Sequence, residues 1–219
     1  MPLINPAVAQ QARERLARLP GEVRLVVFTQ EMECQFCREN RALAEELAAL
    51  SDKVRLEIIN PLTEPEKAMP YRTDKVPALA VVGKRDFGVR FYGIPAGYEF
   101  TSLMAAIELC AAGDSGLKPE SRAQLAALTV PLDIQVFVTL TCPVCPLAVG
   151  LGVRAAIERA GTTLSVVDAA EFPQLANLHE VMAVPKIVVN RGHSFEGALP
   201  EDRFVEELVK GALPTPAAG

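Results

Sequence analysis

An internal repeat at an offset of 108 residues constrains this chain more than any other feature. At that offset Cys34-Gln35-Phe36-Cys37 falls on Cys142-Pro143-Val144-Cys145. With no gap, Arg55-Leu56-Glu57-Ile58-Ile59-Asn60 falls on Thr163-Leu164-Ser165-Val166-Val167-Asp168. Lys75-Val76-Pro77-Ala78-Leu79-Ala80-Val81 likewise falls on Ala183-Val184-Pro185-Lys186-Ile187-Val188-Val189. The first cysteine precedes its proline by 43 residues in both halves. After a small gap, Phe91-Tyr92-Gly93 matches Phe195-Glu196-Gly197. A chain built this way folds as two copies of one unit, and the chemistry of its motif comes twice.

Both halves predict the same elements. A leading helix (6–18; 119–129) is followed by an apolar strand (22–29; 132–139). The C-x-x-C then opens a helix, along which Leu43, Leu47 and Leu50, or Leu147, Leu151, Val153 and Ile157, repeat at helical spacing. Next come a strand (54–59; 163–168), a short helix (64–71; 172–180), and a strand entered through Val-Pro (78–82; 186–190). A hairpin and a last helix (98–111; 200–210) close each unit. Strand–helix–strand makes a right-handed parallel crossover, and the hairpin makes the last two strands antiparallel. The expected fold is α/β: two tandem thioredoxin/glutaredoxin-fold units, each a mixed four-stranded sheet flanked by helices. The units are expected at 1–115, with CQFC, and 116–219, with CPVC. AAGDSGLKPES (111–121) reads as a hinge between them.

Half of the residues are hydrophobic, enough for a core without covalent staples. The net charge is −5, no basic run occurs and aromatics are sparse, which argues against a nucleic-acid partner. The N-terminus reads as an amphipathic helix rather than a signal peptide, and no apolar run approaches the ~18 residues of a membrane span. The expected location is the cytoplasm, with no membrane partner. In that reducing compartment closely spaced cysteines point to metal binding or redox catalysis rather than to a static bridge. The fifth cysteine, Cys110, lies in the apolar helical stretch TSLMAAIELCAAG and is expected to be a buried packing residue.

Three chemistries compete for the cysteine pairs. A zinc site built from all four cysteines has the right ligand count. Each pair, however, lies between an apolar strand and an apolar-periodic helix, not on a zinc knuckle. A stabilising staple is poorly served by so short a ring, worth roughly 2 kcal/mol against about 4.7 for a 100-residue loop. Dithiol–disulfide exchange has a mechanical reason for the spacing. Two cysteines three apart at a helix start bring their Cα atoms to the ~5–6 Å that a disulfide prefers. Free backbone N–H groups and the positive helix end favour a thiolate there. Pro143 suits that first turn.

CQFC…VPALAVV…FYGIPAGYEF and CPVC…VPKIVVN…FEGALPEDRF resemble the protein disulfide oxidoreductases of thermophilic archaea and bacteria, which are glutaredoxin-like tandems of the thioredoxin fold, across nearly the whole chain. The N-terminal module of the alkyl hydroperoxide reductase flavoprotein is similar in its double fold. It keeps one working pair, and here no flavin or nucleotide domain is expected to follow, so it is the weaker match. The resemblance implies a protein dithiol–disulfide oxidoreductase serving cell redox homeostasis. Cys34 and Cys142 would attack, and Cys37 and Cys145 would resolve. Pro77 and Pro185 would be cis, and with Val76 and Val184 would shape substrate grooves. It implies no bound cofactor and no metal, with disulfide-containing client proteins on one side. On the other stands a thioredoxin-reductase-like flavoenzyme as electron donor. The alternative is a redox-inactive or zinc-bound thioredoxin-fold adaptor.

The chain departs from thioredoxins proper in lacking Trp and a buried acid on the strand before the motif, so the proton acceptor is unassigned. Glu57, Asp168 and Glu196 are expected to be solvated. Glu31 and Glu33 precede Cys34, whereas the flanks of Cys142 are uncharged. This makes Cys142 the expected more acidic thiol and its unit the better oxidoreductase.

Overall fold

The computed structural model describes residues 2–213. The first half runs α1 (Pro6–Ala17), β1 (Val23–Phe28), α2 (Cys37–Ala48), β2 (Val54–Ile59), α3 (Pro65–Ala68) with a 3-10 turn (Met69–Tyr71), β3 (Ala78–Val82), β4 (Asp86–Tyr92) and α4 (Glu99–Ala112). The second runs α5 (Pro119–Ala126), β5 (Leu132–Val138), α6 (Cys145–Glu158), β6 (Thr162–Asp168), α7 (Pro173–Leu178), β7 (Lys186–Val189), β8 (His193–Glu196) and α8 (Glu201–Ala212). The element order is the same in both, as the repeat requires. In each half the central strand pairs in parallel with one neighbour and antiparallel with the other.

The two four-stranded sheets are not separate. They join into one eight-stranded sheet in the order β2-β1-β3-β4-β6-β5-β7-β8. The join is a parallel pairing that sets Val89 opposite Leu164 through Tyr92 opposite Val167. A lone unit would leave β4 or β6 as an edge of unpaired N–H and C=O groups, and each here satisfies the other. α4 explains why the join is dry. Leu103, Met104, Ala106, Ile107, Cys110 and Ala111 are all buried on it. A helix apolar around most of its circumference needs cover on more than one side. The sheet covers one side and α6 of the other half covers another. Cys110 is fully buried, as expected, and burial pushes its thiol up to about 12.

Two close approaches hold this arrangement. Gly152 on α6 leaves room for Leu164, whose Cδ1 would lie 2.8 Å from a Cβ there. Gly83, in the β3–β4 hairpin, lies against α4, where an added Cβ would stand 1.9 Å from the Cys110 carbonyl oxygen. Backbone cannot yield as a side-chain tip can. Gly83→Ala is therefore expected to cost roughly 3 kcal/mol, read as a lower urea midpoint at unchanged slope.

The segment read as a hinge is pinned. Ser115 is buried, and its hydroxyl donates to Glu158 at 2.5 Å. Arg154 donates to the Ser115 carbonyl. Arg122 bonds Asp114 at 2.6 Å, and Glu201 accepts from both the Lys118 N–H and the Ser121 hydroxyl. Its turn-rich composition reports a change of direction, not mobility. Among the described residues no helix is long and apolar enough to cross a membrane.

Candidate redox site

Both cysteine pairs are closed as disulfides, with Cα atoms 5.5 Å apart in each. The helices begin at Cys37 and Cys145, the second cysteine of each pair rather than the first. The first cysteine thus lies just outside the helix, in front of its unpaired N–H groups. At the second pair this is realised: the Cys145 N–H points at Cys142 Sγ from 3.1 Å. At the first pair the backbone donor differs, since the Gln30 N–H points at Cys37 Sγ from 3.4 Å. Cys37 and Cys145 are buried. Cys142 is buried as well, at 7% exposure, while Cys34 is partly exposed.

The two prolines lie where the repeat places them, and Val76–Pro77 and Val184–Pro185 are both cis peptides. The Pro77 carbonyl accepts from the Gly93 N–H at 3.1 Å and the Pro185 carbonyl from the Gly197 N–H at 2.9 Å. The Val184 carbonyl oxygen lies 3.8 Å from Cys142 Sγ, so the backbone before Pro185 adjoins the first sulfur. In the first half, Asn40, a turn after Cys37, donates to the Ala78 carbonyl just past Pro77 at 3.3 Å. The repeat puts Ala148 at that position in the second half. The surfaces differ as well. Val144 and Leu147 flank the second pair and Met182 lies just before Val184; all three are exposed, and Met182 at 90% is the most open large apolar side chain among the described residues. Glu31, Met32, Glu33 and Arg38 are exposed around the first.

The two pairs do not converge. β1 and β5 run parallel, so both pairs lie at the same end of the sheet. Four strand spacings of about 4.8 Å put β1 and β5 roughly 19 Å apart. The four motif cysteines form no single tetrahedral centre. Among the described residues no group of three or more His, Cys, Asp and Glu side chains is placed to hold a metal ion.

Of the three acids expected to be solvated, one departs. Glu57 is half-exposed and pairs with Arg24, and Glu196 is exposed. Asp168, read as solvated, is buried. Burial raises its carboxyl above the usual range despite N–H bonds from Ala170 and Glu171. Next to it is a residue the repeat does not single out. Glu99 opens α4, is only 1% exposed, and finds no hydrogen-bond partner for either carboxyl oxygen. Burial, opposed by the nearby Ser102 hydroxyl and aided to a lesser degree by the Asp168 charge, pushes it up to about 7. It lines a small cavity with Leu140 and Asp168, under the loop that carries Cys142. The Tyr98 N–H donates to the Leu140 carbonyl at 3.0 Å, fixing the start of α4 to that loop. The acid comes from the first half and the loop from the second, so the seam assembles this corner.

The thioredoxin domain family matches residues 132–210. The protein disulfide oxidoreductase of Aeropyrum pernix superposes with a TM-score of 0.89 at 27% identity, covering 95% of this chain and 94% of that one. The alkylhydroperoxide reductase AhpF of Enterococcus faecalis superposes at 0.86 and 27% identity, covering 94% of this chain and 99% of that chain. The corresponding alkyl hydroperoxide reductase protein of Xanthomonas campestris pv. phaseoli is 28% identical over 184 residues, 83% of this chain and 32% of its own length. The chain spans about a third of the length of the curated relatives it matches. The family expected as the weaker resemblance therefore matches at a similar level. With a disulfide-spaced C-x-x-C at a helix start in each of two thioredoxin folds, the chain is similar in fold and in site to the thioredoxin-fold thiol–disulfide oxidoreductases.

Proposed function

We propose that this chain carries electrons to protein disulfides through both pairs, with residues 1–115 and 116–219 as its two catalytic units. The Cys142 or Cys34 thiolate attacks a client disulfide. One client sulfur leaves as a thiolate and takes a proton, and a mixed disulfide forms. Cys145 or Cys37 then loses its proton and attacks the mixed disulfide. The second client thiol is released and the pair closes, so two electrons and two protons reach the client. Val184 and Pro185, and Val76 and Pro77, line the groove where an extended client segment lies. Glu99, buried beside Asp168 in the cavity it shares with Leu140, is the acid we assign as proton acceptor for Cys145. The observation that carries this reading is Cys142 Sγ placed between the Cys145 N–H and the Val184 carbonyl, which is where a mixed disulfide needs a donor and a backbone edge.

With about 19 Å between their strands and a hydrogen-bonded seam, the pairs work side by side rather than by direct handover. The electron donor is a thioredoxin-reductase-like flavoenzyme, consistent with relatives named as reductases. The clients are disulfide-containing proteins, and a reducing cytoplasm is the compartment in which such a pair turns over. Dithiothreitol-driven insulin reduction tests the proposal. Wild type is expected to accelerate precipitation, and the variant with all four motif cysteines as serine is expected to sit at background. One zinc per chain and no thiols gained on dithiothreitol treatment would instead favour the adaptor reading.

A further inference from the structure

A cavity of about 410 Å³ lies away from both cysteine pairs, none of whose residues line it. It runs across the seam on the sheet face that carries α3 and α7, toward the end where the β3–β4 and β7–β8 hairpins turn. Its charge is out of keeping with a chain of net charge −5. Six cationic side chains line it against three carboxylates. The carboxylates are already engaged. Asp86 makes a two-point bond with buried Arg90 at 2.9 and 2.6 Å, Asp74 pairs with Lys75, and Asp133 accepts from Thr163. Arg159 directs its guanidinium to the Leu128 and Val130 carbonyls, which carry no net charge. Arg72, Arg85 and Arg191 have no carboxylate partner among the described residues.

The backbone supplies an independent observation. Arg72 and Arg191 hold φ of 53° and 60°. Arg72 caps the 3-10 turn and Arg191 follows Asn190 in the tight Val189–Gly192 turn, so each arginine is carried at a fixed point of the fold beside the cavity. One arginine comes from the loop before Pro77, the other from the β7–β8 turn, and Arg85 from the β3–β4 hairpin. Both halves therefore contribute. A guanidinium fork matches phosphate oxygens two at a time, and three forks around one cavity suit more than one phosphate group.

We propose that this groove binds a compact polyphosphate, bridging the two halves of the sheet. Three probes share that chemistry: inorganic pyrophosphate, inorganic tripolyphosphate and a nucleoside triphosphate. Calorimetric titration of the full chain at low ionic strength is expected to show saturable one-to-one binding. Arg72→Ala and Arg191→Ala are each expected to weaken it roughly tenfold or more, as loss of a charge-assisted bond does. Arg203→Ala, an exposed arginine elsewhere, is expected to leave it unchanged. Bound probe should raise the melting temperature of wild type but not of the double variant. Insulin reduction should be the same in all of them, so this result stands or falls apart from the cysteine chemistry. Equal affinity for the two inorganic probes and the nucleoside triphosphate assigns an inorganic ligand, and tighter nucleoside binding assigns a nucleotide. No saturable binding, or binding that the two substitutions leave intact, overturns the proposal.

Discussion

Replacing Cys142 and Cys145 together by serine is expected to lower insulin reduction at least roughly tenfold, while replacing Cys34 and Cys37 leaves it within about twofold. The argument is one of donors and fields. An N–H bond to a charged acceptor is worth about 1.5–3 kcal/mol, or roughly ten- to a hundredfold in an equilibrium. The Cys145 N–H is already aimed at the sulfur that must become the nucleophile. At the first pair the Gln30 donor is aimed at the resolving sulfur, Cys37, where it does the attacking thiolate no service. Glu31 and Glu33 are exposed, so their opposition to a Cys34 thiolate is screened and secondary. Exposure works the other way, because Cys34 is more open than Cys142. The exposed Val144, Leu147 and Met182 offset that by offering an apolar client surface beside the second pair. Competitive alkylation of the reduced protein at mildly acidic pH, read by mass spectrometry, gives the same ranking independently. Faster labelling of Cys34, or equal losses in the two double variants, would show that access outweighs the N–H donor.

The repeat is legible because function pins its landmarks. Two cysteines and a Val-Pro cannot drift relative to each other without losing the site, so their spacing survives where the surrounding residues diverge. The seam has no such signature. β4 and β6 each read as ordinary strands of their own unit, and nothing local says that one edge meets the other. Only the unusual apolarity of α4, between Glu99 and Gly113, hints at a second covering surface. Glu99 is hidden for a related reason. An acid in the first turn of a helix ordinarily reads as a solvated partner of the helix dipole. The last helix of the second half also opens on a glutamate, Glu201, which plays that helix-start part by holding the Lys118 N–H and Ser121. Glu99 differs because the second unit is folded over it. Asp168 reads as solvated for the same reason, its strand end lying under the Gly93 turn of the other half. Acids buried across a seam are invisible to a reading that treats each unit alone. The four cysteines and two prolines are readable because each belongs to a local motif.

Glu99→Gln is expected to stabilise the protein at pH 8 while removing a step of its chemistry. In the folded chain the carboxyl titrates near 7, against an ordinary value of 4.5. Below about pH 4.5 the group is protonated both folded and unfolded, and it contributes no difference. Between 4.5 and 7 the folded chain holds a proton that the unfolded chain has released, so stability falls as pH rises. Above 7 both forms are ionised and the full cost of the buried charge is present. At about 1.4 kcal/mol per pH unit, that cost is on the order of 3 kcal/mol. Glutamine keeps the shape without the charge. The wild-type and variant urea midpoints should therefore coincide near pH 4 and separate steadily to pH 8, with the variant above. Catalysis should move the opposite way. If Glu99 takes the proton from Cys145, wild-type insulin reduction rises across pH 7 and the glutamine variant loses that limb, falling roughly tenfold or more at neutral pH. A purely structural carboxyl would reproduce the stability difference and leave the pH–rate profile in place. Parallel midpoints at every pH would mean that Glu99 is not buried as a charge at all. The two measurements together separate a working group from a packing accident: only the first couples the stability cost of a buried acid at the seam to the pH–rate profile of the pair.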